Sequence, residues 1–214
     1  MQVGLISDIH GDLQALQRVW AEFARLGLTE GLVLNAGDTV GYGDNPQGCI
    51  DFLRARPNIL TVQGNYDRNV ARFPVREDEY RKKWGRTRPA KFEAIKRDSK
   101  TISPAARDWL LALPRECELS LGGITLLLTH YAPGVKEGLG RWTTPARLAW
   151  LAAQTSARVV VCGHTHSSFA RTAGGVLFVN PGTVGRSLSR NPGYAILTLG
   201  SDTAPDALLT QAHL

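Results

Sequence analysis

The spacing of apolar residues changes along the chain, and each change marks an element. Val3-Gly4-Leu5-Ile6 is a short apolar run, the pattern of a buried strand. Leu13, Leu16, Val19, Trp20, Phe23 and Leu26 then recur at helical spacing, with Asp12 where an N-cap belongs and Gly27 where a C-cap belongs. Leu32-Val33-Leu34 is a second strand, a helix covers about 46–56 until Pro57 stops it, and 59–62 is a third strand. This β-α-β-α-β order predicts a parallel sheet covered by helices. Segments 77–83, 90–100 and 104–113 read as helices. Gly122-Gly123 between 118–121 and 124–128 predicts a hairpin, and Gly174-Gly175 between 169–172 and 176–179 predicts another. A helix from Thr144 or Pro145 through Ala153 precedes the strand Val159-Val160-Val161, and 194–199 and 207–210 add final strands. Parallel units followed by hairpins predict a mixed α/β sheet system.

At 214 residues and 43% hydrophobic, the chain is most simply one domain over 1–214 with a substantial core. No apolar run approaches the roughly 20 residues that span a bilayer, so no membrane is expected. The start reads as a strand rather than a secretory leader. Cys49, Cys117 and Cys162 are odd in number and widely spaced, which fits neither a disulfide framework nor a cysteine zinc knuckle. A reducing cytoplasm is the expected compartment. The net charge of +6 is uneven: Arg68 to Lys100 carries 12 basic and 5 acidic residues, or +7, leaving −1 elsewhere. This stretch falls in a basic helical insertion at about 68–113. It is either a solvated surface or one that attracts phosphate-bearing partners.

Polar residues able to bind metals stand at the ends of the strands. Asp8 and His10 follow the first, Asp38 the second, Asn65-Tyr66-Asp67 the third, His130 the run Leu126-Leu127-Leu128, and His164 and His166 the run Val159-Val160-Val161. Ligands in open α/β sheets bind at strand carboxyl ends. Asp8 and His10 are two residues apart, as are His164 and His166, so in extended chain each pair faces one way. Gly11, Gly37, Gly64 and Gly163 keep the backbone slim beside them. Alone, Asp8 reads as a helix cap and His130 as a polar loop residue; together, the five segments predict a metal site. His213 matches none of these motifs.

The order Asp-x-His, Gly-Asp, Gly-Asn-Tyr-Asp, a lone His and Gly-His-x-His, from Asp8 to about Gly185, resembles the calcineurin-like metallophosphoesterases, and in particular their small bacterial phosphodiesterase members. The resemblance implies a four-layer α/β/β/α sandwich with two mixed β-sheets. It implies one metal on Asp8, His10, Asp38 and His166 and another on Asp38, Asn65, His130 and His164, with Asp38 bridging. Mixed nitrogen and oxygen donors suit manganese, iron, zinc or nickel, with manganese taken first. Two metals about 3.5–4 Å apart activate a bridging water and clamp attacking and leaving oxygens. The implied activity is phosphoester hydrolysis by a metal-bridging hydroxide. The alternatives are a nucleoside polyphosphate or phosphomonoester hydrolase and, in another class, a non-catalytic scaffold on the same fold. Asn180-Pro181-Gly182-Thr183-Val184-Gly185 resembles a segment that closes the site in small bacterial members, and it also reads as a tight turn.

The departure is Tyr66, where the family carries a His that, with the following Asp67, serves the leaving oxygen or phosphate. A phenol of pKa about 10 is a poor proton donor at neutral pH. That points to low-pKa leaving groups and tilts the reading toward diesters. The Asp-Arg-Gly and Gly-Asn-His-Glu signatures of the Ser/Thr protein phosphatases are missing. Asp38, Asn65, Tyr66 and Asp67 are the catalytic candidates, and Asn65, Tyr66 and Arg68 the substrate-binding ones. Arg68, Arg72, Arg81, Lys82, Lys83, Arg86 and Arg88 are expected to form a lid that recruits a polyanion such as a nucleotide or nucleic acid. Trp84 among them either stacks a base or serves as a hydrophobic anchor.

Overall fold

The computed structural model describes residues 1–187, 191–200 and 205–211; His213 lies outside them. In chain order the first elements are β1 (Gln2–Ile6), α1 (Leu13–Arg25), β2 (Val33–Asn35), α2 (Pro46–Arg54) and β3 (Ile59–Thr61). Three helices follow: α3 (Asn65–Trp84), α4 (Pro89–Thr101) and α5 (Pro104–Ala112). Then come β4 (Glu116–Leu121), β5 (Ile124–Thr129), α6 (Pro145–Ala152), β6 (Val159–Val161), β7 (Phe169–Ala173), β8 (Val176–Asn180), β9 (Gly193–Thr198) and β10 (Asp206–Gln211).

One sheet runs β10-β9-β1-β2-β3 and the other β4-β5-β6-β8-β7. Both are mixed and open: β1, β2 and β3 are parallel while β9 joins β1 antiparallel, and β5, β6 and β8 are parallel between antiparallel β4 and β7. The inner faces meet in one buried cluster. Val3, Leu5, Leu34 and Val62 come from one side and Leu126, Leu128, Val159, Val161 and Val179 from the other. Leu16, Val19 and Phe23 of α1 and Leu53 of α2 cover the outer face of the first sheet, packing on Ile6, Val33 and Ile59. Leu148 and Leu151 of α6 cover the second, packing on Leu127, Val160 and Phe178. The result is the expected α/β/β/α layering. Among the described residues no helix is long and apolar enough to cross a membrane.

The ends of α1 obey local chemistry. The Asp12 carboxylate accepts from the Ala15 N–H at 2.9 Å. At the other end Gly27, with φ +70°, lets Leu28 N–H reach Phe23 O and Gly27 N–H reach Ala24 O, closing the last turn.

The basic region differs from its expected form. Instead of beginning near residue 77, α3 starts at Asn65 and runs 20 residues through Pro74. Pro74 itself is exposed, on the side of the helix away from the buried stripe. Tyr66, Val70, Phe73, Tyr80 and Trp84 form a helically spaced stripe that packs with Phe92 and Ile95 of α4 and Leu110 of α5. That packing holds the helix despite its mainly polar sequence.

Gly4, in the central strand β1, leaves room for Phe23. A Cβ there would lie 2.7 Å from the ring carbon Cε2 of Phe23. Gly4→Ala is therefore expected to cost about 1–3 kcal/mol by overpacking. The Gly4→Ala/Phe23→Leu double variant should cost less than the sum of its single changes. Urea unfolding of all three measures this, and strict additivity would show that the ring is not what excludes a side chain at Gly4.

Candidate metal centre

The strand ends of both sheets meet at one edge, and backbone bonds join them. Asp8 N–H donates to Gly37 O and His10 N–H to Asp38 O, each at 2.9 Å. His164 N–H crosses from the second sheet to Asp8 Oδ2 at 2.9 Å. All seven candidate ligands converge here. Asp8, His10, Asp38, Asn65 and His130 are buried, and His164 and His166 half-buried.

The backbone that delivers them is not extended, which corrects the simple reading of the two-residue spacings. Asp8, His10, Asp38, His164 and His166 have φ between +52° and +72°. Side-chain-bearing residues avoid this left-handed region, with Asp and His among the more tolerant. Among the described residues the sixth non-glycine example is Tyr42, at +75°. Strained backbone of this kind concentrates at functional sites.

Two groups of donors form. Asp8, His10 and His166 offer ligand atoms within 4.8 Å of one another, and so do Asp38, His130 and His164. Asp38 reaches both, its Oδ2 lying 3.4 Å from His130 Nε2 and 4.0 Å from His10 Nε2. Its other oxygen is taken by the Tyr66 N–H at 2.7 Å. Asn65 Oδ1 accepts from the Tyr131 hydroxyl at 3.1 Å.

The hydrogen bonds leave lone pairs pointing inward. His130 Nδ1 donates to Ala36 O at 2.7 Å, and His10 Nδ1 lies 3.3 Å from Val40 O. A carbonyl can only accept, so Nδ1 carries the proton in the neutral form of both rings and Nε2 is the atom left for a cation. His130 Nε2, Asp8 Oδ1 and His164 Nδ1 are buried with no hydrogen-bond partner. His10 Nε2 and His166 Nε2 face each other at 2.9 Å, where two lone pairs repel unless a proton or a cation lies between them. Buried polar atoms left unpaired are costly and need an explanation. Divalent cations explain all of these at once, and the mixed nitrogen and oxygen donors fit manganese, iron, zinc or nickel.

Buried charge shapes the titrations. Burial opposes ionisation of Asp38, yet His130 and His10 hold its carboxyl well below the usual range. Burial would pull His130 down, but the Asp38 carboxylate raises it to about 9. Burial lowers His10 to about 4.

The remaining predicted residues fall around this core. Asp67 is fully buried, its carboxylate accepting from the N–H groups of Asp38, Gly64 and Val40 at 2.9, 2.9 and 3.2 Å. It supports the Asp38 loop from below instead of facing the pocket. A Cβ on Gly64 would lie 2.1 Å from Asp38 Oδ1, so only glycine fits there. The Asn180–Gly185 segment turns tightly beside the site and is tied to it: Gly182 N–H donates to Asn180 Oδ1, and Thr183 Oγ1 and Gly185 N–H both donate to Asp8 O.

A cavity of about 430 Å³ opens over Asp38, Asn65, His164 and His166. The hydroxyls of Tyr42 and Tyr66 in its wall are 2.5 Å apart. Lys91, Arg88 and Arg186 also face it. Arg68 lines two neighbouring clefts, one with Arg115 and Tyr131 and one with Arg72, Lys83 and Lys136. Trp84 is the anchor: it is buried against Tyr80, ring centroids 4.8 Å apart, and has no free face for a base. Tyr42, Lys91, Tyr131 and Arg186 were not expected at the site. Tyr131 adjoins His130 and Arg186 adjoins the Asn180–Gly185 segment, which were usable signals; Lys91 had none beyond its place in the basic region.

Comparison with known proteins agrees with this geometry. The family model described as the calcineurin-like phosphoesterase superfamily domain matches residues 1–202. An uncharacterized protein of Methanocaldococcus jannaschii is 28% identical over 182 residues, covering 85% of this chain and 69% of that protein. The metallophosphoesterase of Sphaerobacter thermophilus superposes with a TM-score of 0.74 at 22% identity, over 100% of this chain and 89% of its own. A hypothetical protein of Pyrococcus horikoshii OT3 superposes with a TM-score of 0.84 at 16% identity, over 99% and 87%.

Metal uptake should release protons. With a pKa of about 9, His130 carries a proton at neutral pH in the metal-free protein, and a ligand must be neutral. His10, at about 4, is already neutral. Affinity for Mn²⁺ should therefore rise with pH up to about 9, with about one proton from His130 released per protein near neutrality. Calorimetry in buffers of different ionisation enthalpy counts that proton, and uptake without proton release would contradict the assignment.

Proposed function

This chain belongs to the calcineurin-like phosphoesterase superfamily, and on that premise we propose that it hydrolyses phosphate esters, diesters before monoesters, with two divalent metal ions. The observation that carries the reading is the pair of donor groups sharing Asp38, with buried lone pairs that nothing in the protein satisfies. When bound, such ions supply positive charge for the phosphoryl oxygens and make the nucleophile from water. Manganese is proposed first, with iron, zinc and nickel as alternatives.

The protein's own residues do the rest. Ala36 O and Val40 O hold His130 and His10 in the tautomer that leaves Nε2 free. Tyr66 N–H fixes Asp38 so that Oδ2 faces both donor groups. Burial, and then the hydrogen bond shared with the Tyr42 hydroxyl, push the Tyr66 hydroxyl well above its usual range. It keeps its proton and offers a hydrogen bond, not an acid. Leaving groups that depart without protonation are therefore favoured, and diesters with such groups fit best.

The cations over the pocket, Lys91 and Arg186, favour a second reading within the enzymes, a nucleoside polyphosphate or phosphomonoester hydrolase. Presence of all seven candidate ligands weighs against the non-catalytic scaffold. Three unpaired cysteines support a reducing compartment, for which we propose the cytoplasm.

Manganese-reconstituted protein is expected to cleave bis-p-nitrophenyl phosphate faster than p-nitrophenyl phosphate, and chelation should abolish both activities. His130→Ala should lower kcat/KM by more than the roughly 10–100-fold that loss of a supporting residue costs. Tyr66→His should help substrates with poor leaving groups most. Equal gains across leaving-group pKa would remove the argument from Tyr66. Silence on both substrates with metal bound would favour the scaffold.

A further inference from the structure

Two cations stand over the metal centre. Lys91 comes from α4 and Arg186 from the loop that follows β8. Among the described residues neither has a carboxylate within ion-pairing distance, although Arg76, Arg81, Arg97 and Arg147 all do. Each is seated on an aromatic ring. The Lys91 ammonium lies 4.6 Å from the Tyr66 ring centre and 4.8 Å from that of Trp84. The Arg186 guanidinium lies 3.7 Å from the Tyr42 ring centre. The two tyrosines are joined through their hydroxyls at 2.5 Å. A tyrosine pair thus holds one cation on each of its rings, beside Asp38, His164 and His166.

For Lys91 this placement has a cost that a surface charge avoids, whereas Arg186 is exposed. Lys91 is half-buried, and a long cationic chain is held in one pose by two rings. Cation–π contacts of roughly 0.5–2 kcal/mol keep it there but do not replace a counter-ion. An anion in the cavity would complete the set. Metal ions held by the ligands below would neutralise the scissile phosphoryl group, which leaves these cations for something next to it.

We propose that Lys91 and Arg186 form a second anion subsite, selecting substrates that carry a further phosphoryl group beside the scissile one. This rests on the phosphoesterase reading above. The guanidinium is suited to two parallel hydrogen bonds to phosphoryl oxygens, and the ammonium acts as a point charge. Two sources carry such chemistry: the anhydride chain of a nucleoside polyphosphate, and the flanking phosphate of a 5′-phosphorylated nucleotide chain.

Calorimetry on the manganese-loaded protein at fixed free Mn²⁺ tests the subsite, with imidodiphosphate and inorganic phosphate as probes. Imidodiphosphate should bind at least about tenfold tighter than phosphate. Lys91→Gln and Arg186→Gln should each remove most of that preference and leave phosphate affinity within about twofold. Lys91→Arg should retain it, and Lys100→Gln, an exposed charge on the same helix, should change neither probe. Parallel loss for both probes, or no preference in the unaltered protein, overturns the subsite. Turnover then separates the sources. Lys91→Gln should lower kcat/KM on bis-p-nitrophenyl phosphate, which has no second phosphoryl group, less than on a substrate that carries one. A selective loss of kcat/KM on ADP identifies the anhydride, and one on a 5′-phosphorylated dinucleotide identifies the nucleotide chain. Equal loss on all three substrates refutes the subsite and leaves the phosphoesterase reading standing. No turnover of any substrate, with the imidodiphosphate preference intact, refutes the phosphoesterase reading and supports the subsite.

Discussion

The metal centre depends on a buried carboxylate that grips backbone. Asp67 has no exposed surface, and its two oxygens accept from the N–H groups of Asp38, Gly64 and Val40. A carboxylate taken out of water is costly unless hydrogen bonds replace its hydration, and charge-assisted bonds to N–H groups do so effectively. These bonds tie the loop after β2 to the first turn of α3. They set Asp38, which both donor groups need, against Asn65 and Tyr66, which open that helix. Burial first, and then the neighbouring Asp38 charge, raise Asp67 to about 7.

A second buried carboxylate extends the same device outward. Asp98 of α4 accepts from the Gly41 N–H at 2.6 Å. Its neighbour Arg97 bonds both to Asp98 and to the Gly43 carbonyl. Between those two anchors stands Tyr42, in left-handed backbone. The basic helices therefore do more than add charge. They fix the loop that carries Tyr42, and they bring Lys91 over the pocket.

Much of this was legible in the sequence because it is local. The strands of the parallel core announce themselves as apolar runs, and each ligand motif abuts one. What escaped was tertiary. The start of α3 was hidden because Pro74 and a mostly polar sequence mask the stripe from Tyr66 to Trp84, which shows only once α4 and α5 pack on it. Lys91 resembles every other basic residue in its region until Trp84 and Tyr66 seat it. Asp67 sits in a recognisable motif, yet its three backbone donors come from two segments far apart in the chain, which no spacing reveals.

The turn between β1 and α1 shows how residue type and role separate. Asp8 and Asp12 both stand at a strand-to-helix junction, where a helix cap is the ordinary role of an aspartate. Asp12 is that cap, its oxygen bonded to the Ala15 N–H. Asp8 cannot share the role. Its backbone is left-handed, and its Oδ2 is held by the Ser7 hydroxyl and the His164 N–H from the opposite sheet. Its Oδ1 is buried with no partner, 3.3 Å from His166 Nε2. A cap has no use for strained backbone or an unsatisfied oxygen, since either one costs stability. Asp8 carries both, and the same combination recurs in His164, which is left-handed with its buried Nδ1 unpaired. Residues of different type, on different sheets, bear the same two costs at the same edge. The fold thereby holds their donors ready for a cation before one arrives.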